Sequence, residues 1–276
     1  MKIAVTGGKG GTGKSTIATA LAVELAKQHR VLLVDADADC PNDHLLLGIE
    51  RKRIETVFQR IPEWNMAKCT GSGACAEACY MNAIVMVKNK PVFSPAQCNG
   101  CGACVLSCPR EAISWGKKEI GWVYSGEGFN LELLSGELKV NEPLAEKVVM
   151  AMNKRLEGIA KSYDFVIVDT AAGTHCDVIS ALEGADLALA VSEPTPLGAH
   201  DLELIIKLLS KLGLDFEIVL NRDETGKSEL IESIAARAGK KIAARVPYSK
   251  EIIKAYSEGR PVSHKSILKL KELVLK

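Results

Sequence analysis

The sequence feature that most constrains the fold is a glycine-rich segment near the N-terminus, GGKGGTGKST at residues 7–16. It follows an apolar run typical of a strand and precedes a segment with helical periodicity. In that setting, glycines let successive backbone N–H groups surround phosphate oxygens, and the helix N-terminus adds a favourable dipole. The segment therefore predicts a P-loop, with Lys14 on the β- and γ-phosphates of a nucleotide and the Ser15 hydroxyl on Mg²⁺. The predicted nucleotide contacts in the loop are Gly8, Lys9, Gly10, Gly11, Thr12, Gly13, Lys14, Ser15 and Thr16.

Strand and helix patterns alternate along most of the chain. Short continuous apolar runs predict buried strands, and the longer amphipathic segments between them predict helices. Buried strands that alternate with helices indicate an α/β fold with a mostly parallel, doubly wound sheet. The predicted strands are residues 3–6, 31–35, 165–169, 187–191, 216–220 and 243–246, and the predicted helices are residues 14–28, 144–161, 198–212, 229–238 and 250–258.

The alternation stops in the middle of the chain, where Cys, Gly and Pro become frequent. Seven of the nine cysteines lie between Cys69 and Cys108, which indicates a metal site rather than disulfides. We therefore predict a discontinuous main domain, residues 1–63 and 127–276, interrupted by a small inserted α+β domain at residues 64–126. Residues 126–140 are expected to form the hairpin that leads back to the main domain.

The cysteines of the insert follow a repeated spacing. Residues 98–109 read CNGCGACVLSCP, the pattern of the cluster-binding run in bacterial ferredoxins, and residues 69–80 repeat it with Ser72 in place of the second cysteine. In such pairs, three cysteines of one run and the last cysteine of the other ligate one iron–sulfur cluster. The predicted ligands are Cys98, Cys101, Cys104 and Cys79 for a complete [4Fe–4S] site, and Cys69, Cys75 and Cys108, with Ser72 or nothing as the fourth ligand, for a second site.

The serine leaves the second site open to three states. Because serine binds iron poorly unless it is ionised, the site would hold a three-iron cluster, a four-iron cluster with one open or oxygen-ligated iron, or no cluster. Zinc also suits four thiolates, but the near-duplicated run favours iron–sulfur. Cys40 and Cys176 lie outside the insert, and we interpret both as small buried hydrophobic residues.

A second lysine inside the glycine-rich loop, Lys9, points to a family. The segment KGGTGKST resembles the deviant P-loop of the MinD/Mrp family of ATPases, which are relatives of ParA, the nitrogenase iron protein and the arsenite-pump ATPase. The whole chain is similar to a branch of that family that carries an inserted ferredoxin domain. The resemblance implies slow, partner-stimulated ATP hydrolysis by a homodimer that sandwiches two Mg²⁺-ATP, with Lys9 reaching across the dimer interface to the other subunit's phosphates.

Two further segments resemble the switches of this family. VDAD at residues 34–37 resembles the first switch, where Asp37 would orient the attacking water and Asp35 would assist Mg²⁺. FVIVDTAAG at residues 165–173 resembles the Walker B segment and second switch, where Asp169 would hold a Mg²⁺-bound water. The resemblance therefore implies that Lys9, Lys14 and Asp37 are catalytic and that Ser15, Asp35 and Asp169 serve Mg²⁺.

The nucleotide base is expected to lie near the C-terminal part of the sheet. Asn221 resembles the base-contacting asparagine of the family, and Arg222 and Pro247 are assigned to the same site. Glu224 stands where a guanine-reading motif would have aspartate, which favours ATP over GTP.

Two classes of function follow from these motifs. In the first, the nucleotide state is coupled to electron transfer or to the handling of iron–sulfur clusters, with an unidentified redox or cluster-accepting protein as partner. In the second, the chain is a nucleotide-switched assembly or regulatory protein, similar to MinD, whose cluster is structural or acts as a sensor.

Charge and hydropathy limit the partners further. The formal net charge of +1 creates no overall field that would attract nucleic acid. The N-terminus lacks the features of a signal peptide, and no apolar run approaches the roughly 20 residues that span a bilayer. We expect a cytoplasmic protein without a nucleic-acid partner, and we do not expect the C-terminal residues 266–276 to bind a membrane.

Overall fold

A large sheet with helices on both faces forms the centre of the molecule. The computed structural model describes residues 1–275. Its strands are β1 (Lys2–Thr6), β2 (Val31–Ala36), β3 (Arg51–Trp64), β4 (Ile84–Val87), β5 (Lys90–Phe93), β6 (Ile113–Gly128), β7 (Leu131–Leu138), β8 (Phe165–Thr170), β9 (Leu187–Ser192), β10 (Phe216–Asp223) and β11 (Ile242–Pro247). Its helices are α1 (Lys14–Ala26), α2 (Asp43–Leu47), α3 (Ala74–Glu77), α4 (Ala103–Leu106), α5 (Ala145–Ile159), α6 (Cys176–Leu182), α7 (Pro196–Leu212), α8 (Ser228–Arg237), α9 (Lys250–Ser257) and α10 (Lys265–Val274).

The main sheet contains nine strands in the order β11-β10-β9-β1-β8-β2-β7-β6-β3. The first seven of these run parallel, and β6 is antiparallel to both of its neighbours, β7 and β3. The prediction of an α/β fold with a mostly parallel sheet is confirmed. Because parallel strands end at one edge, the loops after β1, β2, β8 and β10 meet there.

The core consists of two layers, one on each face of the sheet. Alternate residues of a strand face opposite layers, so Ile3 and Val5 of β1 pack with α1 and α10, whereas Ala4 packs with the other layer. That second layer is covered by α5, α6, α7 and α8, and includes the fully buried Met152. Each large aliphatic side chain buried this way contributes about 1.5–3 kcal/mol.

The predicted strands and helices of the main domain all occur, with ends shifted by a few residues. β3 was not predicted, because its residues RKRIETVFQRIPEW are mostly polar and show no continuous apolar run. α2 and α6 were not predicted either, since they have only five and seven residues and so show little periodicity. Among residues 1–275, no helix combines the length and the apolar composition needed to cross a membrane.

The predicted hairpin and the end of the predicted insert need correction. Residues 113–126, which we assigned to the insert, belong to β6 of the main sheet, in which residues 113–126 pair with β3 and residues 121–128 pair with β7. The hairpin that returns to the main domain is therefore the β6–β7 pair, which begins at Ile113 rather than Gly126. Its long first strand, ISWGKKEIGWVYSGEG, shows neither a continuous apolar run nor strict alternation, so it carries no clear strand pattern.

Residues 65–112 form a small unit at the far end of the β3–β6 pair. They contain the two-stranded sheet β4–β5 and the short helices α3 and α4, and cysteines share their apolar cluster with Ile84 and Ile113. The two halves correspond at a constant offset of 29 residues. Gly73 and Gly102 both have φ of 84°, and the backbone amides of Asn65 and Ser94 make equivalent 2.8 Å hydrogen bonds to the carbonyls of Ala112 and Ala83.

Candidate functional site

The glycine-rich segment forms a loop between β1 and the N-terminus of α1. Gly13 has φ of 91°, in the left-handed region that favours glycine. A Cβ atom at this position would lie 2.1 Å from Nδ2 of Asn221, whose amide donates a 2.7 Å hydrogen bond to the Thr12 carbonyl. The loop is therefore held against β10, and a residue with a side chain does not fit at position 13.

Lys14 is the first residue of α1, and only 6% of it is exposed. Its Nζ lies 3.3 Å from the Lys9 carbonyl. Burial lowers the pKa of Lys14, while the charges of Asp169 and Asp37 oppose that shift. The ammonium group is thus held beside carboxylates in a largely dry position, where it would interact strongly with an anion.

Three buried carboxylates lie beside this lysine. Asp35 and Asp169 are register partners at the ends of the adjacent parallel strands β2 and β8, and Asp43 is the first residue of α2. Their carboxylate oxygens lie within 4.8 Å of one another, and none of the three residues is more than 1% exposed. Burial raises the pKa of Asp169 to about 7, although Ser15 and Lys14 oppose the shift. Burial also raises the pKa values of Asp35 and Asp43 well above the usual range.

Asp37 is the first residue after β2 and lies two residues after Asp35 in the chain. It is half-buried and lines the same cavity as Lys14 and Ser15. Burial raises its pKa, and the nearby Lys14 opposes the shift. The structure therefore brings the predicted water-orienting residue to the mouth of the P-loop.

A cavity of about 420 Å³ opens in front of the P-loop. The predicted base-contacting residues Asn221, Arg222 and Pro247 line it together with Gly10, Gly11, Gly13, Ser15 and Thr16. Two aromatic residues of this wall were not predicted: Tyr248, which precedes α9, and Tyr256, which lies within α9. The sequence did offer a signal for these tyrosines, because both follow a predicted strand whose end lies at the ligand-binding edge of the sheet.

Lys9 makes an ion pair within its own chain. Its Nζ lies 2.8 Å from Glu193 Oε1, and Arg222 Nη1 lies 3.1 Å from Glu193 Oε2. Burial alone would raise the pKa of Glu193, but the hydrogen bond and charge of Lys9, with the charge of Arg222, outweigh it and lower the pKa. Lys9 therefore lies beside the P-loop with its charge neutralised by Glu193.

The two predicted cysteine sets surround two separate small cavities in residues 65–112. Cys79, Cys98, Cys101 and Cys104 line one of them, and Cys69, Ser72, Cys75 and Cys108 line the other. In the part of the chain that the structure describes, no three of these sulfurs lie within 4.8 Å of one another.

Backbone amides point at several of these sulfurs. The amides of Ala83 and Ala112 donate 3.3 Å hydrogen bonds to Sγ of Cys79 and Cys108, and Gly100 donates a third, also 3.3 Å, to Cys98. Burial raises the pKa of Cys104 to about 11. A thiolate in such a place needs a cationic partner, and donated hydrogen bonds add to its stabilisation.

The two cysteines outside the insert do not match their prediction. Cys40 and Cys176 are exposed rather than buried. Cys40 lies in the loop after β2, and Cys176 is the first residue of α6, so both belong to the connections that follow strands β2 and β8 and not to the core.

The raised pKa of Asp169 predicts that the cation-free protein becomes less stable as the pH rises. Its folded pKa of about 7 exceeds the ordinary 3.8, so between these values the folded state binds more protons and the free energy of unfolding falls as pH rises. In EDTA without nucleotide, we expect Asp169→Asn to be more stable than the wild type at pH 8. The gap should close as pH falls towards about 4. Urea unfolding at several pH values measures this, and a wild type more stable than the variant at pH 8 would contradict it.

Known proteins resemble the chain over most of its length. The family profile described as the CobQ/CobB/MinD/ParA nucleotide binding domain matches residues 3–262. An uncharacterized protein of Methanocaldococcus jannaschii is 36% identical over 94% of this chain and 90% of its own.

Solved structures have the same fold. The septum site-determining protein MinD of Pyrococcus horikoshii, complexed with Mg-ADP, has a TM-score of 0.64 at 21% identity, covering 100% of this chain and 96% of its own. MinD in the MinC:MinD cell division complex of Aquifex aeolicus has a TM-score of 0.60 at 20% identity, covering 99% and 95%.

Proposed function

Because the chain belongs to the CobQ/CobB/MinD/ParA family and is a P-loop ATPase of the MinD type, we propose that it is a nucleotide-dependent switch. Mg²⁺-ATP would close a homodimer that binds a partner protein, and hydrolysis would release both. The observation that carries this proposal is the assembled site, in which the P-loop, Lys14 and Asp37 line one cavity and the buried Asp169 interacts with Ser15 and Lys14 of that cavity.

In this proposal the nucleotide is Mg²⁺-ATP. The phosphates would lie on the amides of the P-loop with Lys14, and Mg²⁺ would be served by Ser15, Asp35 and Asp169. The base would lie near Asn221, Arg222 and Pro247. Two observations support these roles. Lys14, Ser15, Asn221, Arg222 and Pro247 line one cavity, whose Ser15 hydrogen-bonds to Asp169, and a MinD of the same fold was solved with Mg-ADP.

Lys9 would act across the dimer interface. In the single chain its ammonium is paired with Glu193, and a third of its side chain is exposed. We propose that dimer closure moves Lys9 from Glu193 to the phosphates held by the other subunit, where its charge would stabilise the transferred phosphoryl group. Glu193 would keep Arg222 as its ionic partner, so the exchange would not leave a buried carboxylate unpaired.

Lys9→Ala tests this role. We expect ATP hydrolysis to fall at least about 100-fold, because a cation supplied in trans is worth orders of magnitude in phosphoryl transfer. ATP binding to the single chain should change little. The matched control is Glu193→Gln, which breaks the same ion pair but keeps the lysine, and should hydrolyse ATP within about threefold of the wild type. Equal losses in the two variants would mean that Lys9 matters only through its ion pair.

The insert is proposed to be a ferredoxin-type module. Its complete site would hold one [4Fe–4S] cluster on Cys79, Cys98, Cys101 and Cys104, and the second site would have Ser72 as a weak or absent ligand. Zinc also suits four thiolates. The near-duplicated spacing of the two cysteine runs, and the position of Cys79 at the cavity of Cys98, Cys101 and Cys104, favour a cluster of the ferredoxin type. When bound, such clusters supply one-electron transfer.

A second candidate function couples the nucleotide state to that module, as electron transfer or cluster handling. Hydrogen bonds that run through the sheet from the nucleotide site to the insert favour this function. The loop after β2, which carries Asp37, is tied to the end of β7 by a 2.8 Å hydrogen bond from the Leu138 amide to the Ala38 carbonyl. β7 pairs with β6, and β6 with β3 carries the insert. A movement of the first switch would therefore have a continuous hydrogen-bonded route to the module.

Electron paramagnetic resonance of the anaerobic, dithionite-reduced protein separates the two candidates. If nucleotide state is coupled to the clusters, adding Mg²⁺-ATP should change their signals or their extent of reduction. Signals indifferent to ATP would leave the partner-binding switch, with a structural or sensing cluster, as the function.

A further inference from the structure

A group of three buried carboxylates, Asp35, Asp43 and Asp169, lies beside Ser15 and Lys14 of the nucleotide cavity. Sequence reasoning assigned two of them to Mg²⁺ and did not find Asp43. The structure places Asp43 at the start of α2, fully buried, with both carboxylate oxygens lacking a hydrogen-bond partner in the described chain. A buried, unpaired carboxylate is costly, so the group needs an explanation.

The surroundings supply little positive charge to these side chains. Asp35 accepts hydrogen bonds from the backbone amides of Asp43, at 3.1 Å, and Asp37. Among residues 1–275, the charge of Lys14 acts on Asp169 in the opposite direction to the charge of Asp37, which adds to the repulsion. One oxygen of Asp35, one of Asp169 and both of Asp43 are left unpartnered.

The three carboxylates lie close enough to one another to share one metal ion. The three carboxylates bring ligand atoms within 4.8 Å of one another. Octahedral Mg²⁺ with bonds of about 2.1 Å places neighbouring ligands about 3.0 Å apart and opposite ligands about 4.2 Å apart. Three carboxylates with water in the remaining positions would satisfy such an ion.

We infer that Asp35, Asp43 and Asp169 together bind one divalent cation of the size of Mg²⁺ before any nucleotide arrives, with Asp43 as the third carboxylate ligand. This rests on the proposed Mg²⁺ roles of Asp35 and Asp169, and it adds a ligand and a nucleotide-free state to them. Oxygen ligands from three carboxylates would balance the cation without phosphate. ATP would thus bind to a chain that already holds its metal ion.

Binding of Mn²⁺ to the nucleotide-free protein tests this inference, because free Mn²⁺ gives a sharp resonance signal that is lost on binding. We expect the wild type to bind one Mn²⁺ per chain without nucleotide, and Asp43→Asn to weaken that binding at least tenfold. Asp39→Asn, an exposed neighbour in the same loop, is the matched control and should remain within twofold of the wild type. A wild type that leaves millimolar Mn²⁺ free, or an Asp43→Asn variant that binds Mn²⁺ like the wild type, would overturn the inference.

A thermal denaturation series guards against misfolding of the variant. Mg²⁺ without nucleotide should raise the melting temperature of the wild type and of Asp39→Asn, and should raise that of a folded Asp43→Asn markedly less. The proposed function is tested separately by Mg²⁺-ATP hydrolysis. If hydrolysis persists while nucleotide-free Mn²⁺ binding fails, the inference is wrong and the proposed function stands; the reverse result leaves the cation site and removes the proposed function.

Discussion

Lys14→Ala is expected to reduce Mg²⁺-ATP hydrolysis by at least about 100-fold and to weaken ATP binding. Lys14 is 6% exposed, lies at the start of α1, and faces the cavity that would hold the phosphates. In a position with so little water, a lost positive charge is not replaced by solvent, so the developing phosphoryl charge would be left without a partner. Steady-state phosphate release at saturating ATP measures the effect.

The control for this variant lies at the other end of the same helix. Lys27 caps the C-terminus of α1, and its side chain is 57% exposed and paired with Glu24. Lys27→Ala removes the same charge from the same helix at a place far from the P-loop, and should hydrolyse ATP within about twofold of the wild type. A Lys14→Ala variant as active as Lys27→Ala would show that this loop does not bind the reacting phosphates.

Cys79→Ser is expected to remove the [4Fe–4S] cluster proposed for the complete site, although Cys79 belongs to the first cysteine run and the other three proposed ligands belong to the second. The cavity lined by Cys98, Cys101 and Cys104 includes Cys79 and not Cys108. After anaerobic reconstitution, we expect the variant to lose about four iron atoms per chain and the reducible signal of that site. Iron and sulfide analysis with electron paramagnetic resonance of the reduced protein measures both.

Cys108→Ser is the matched comparison, since Cys108 occupies the equivalent position 29 residues later and also accepts a 3.3 Å hydrogen bond from an amide four residues on. This variant should keep the complete cluster and lose any cluster at the Ser72 site. The opposite pattern, with Cys108→Ser losing the complete cluster, would mean that each run ligates its own cluster. Zinc in place of iron would refute the iron–sulfur assignment altogether.

Much of the fold could be predicted because its strands are buried on both faces. Such strands carry continuous apolar runs, as Val31–Ala36 does, and these need no knowledge of their neighbours to be found. β3 and β6 could not be found in this way. They are long and largely polar, and their stability comes from pairing with each other and with β7, which is a non-local property.

The candidate site likewise contains some residues that the sequence reveals and others that only the folded chain reveals. Gly13, Lys14 and Asp169 are local signals in a strand–loop–helix or strand-end context, and all three lie where the sequence places them. Asp43 gave no local signal, because it opens a helix of five residues and meets Asp35 and Asp169 only in the folded chain. Lys9 shows a further limit, since its partner Glu193 is 184 residues away and nothing in either local sequence reveals the ion pair.

The measurement that tests the central claim most directly is the mass of the protein in solution, by light scattering, with and without a non-hydrolysable Mg²⁺-ATP analogue. The account predicts one chain of 29.7 kDa without nucleotide and about twice that mass with the analogue. Lys9→Ala should show a weaker shift, because it removes one of the charges that would bridge the two subunits. A mass that does not respond to the analogue, in a protein shown to bind it, would contradict the nucleotide-dependent switch.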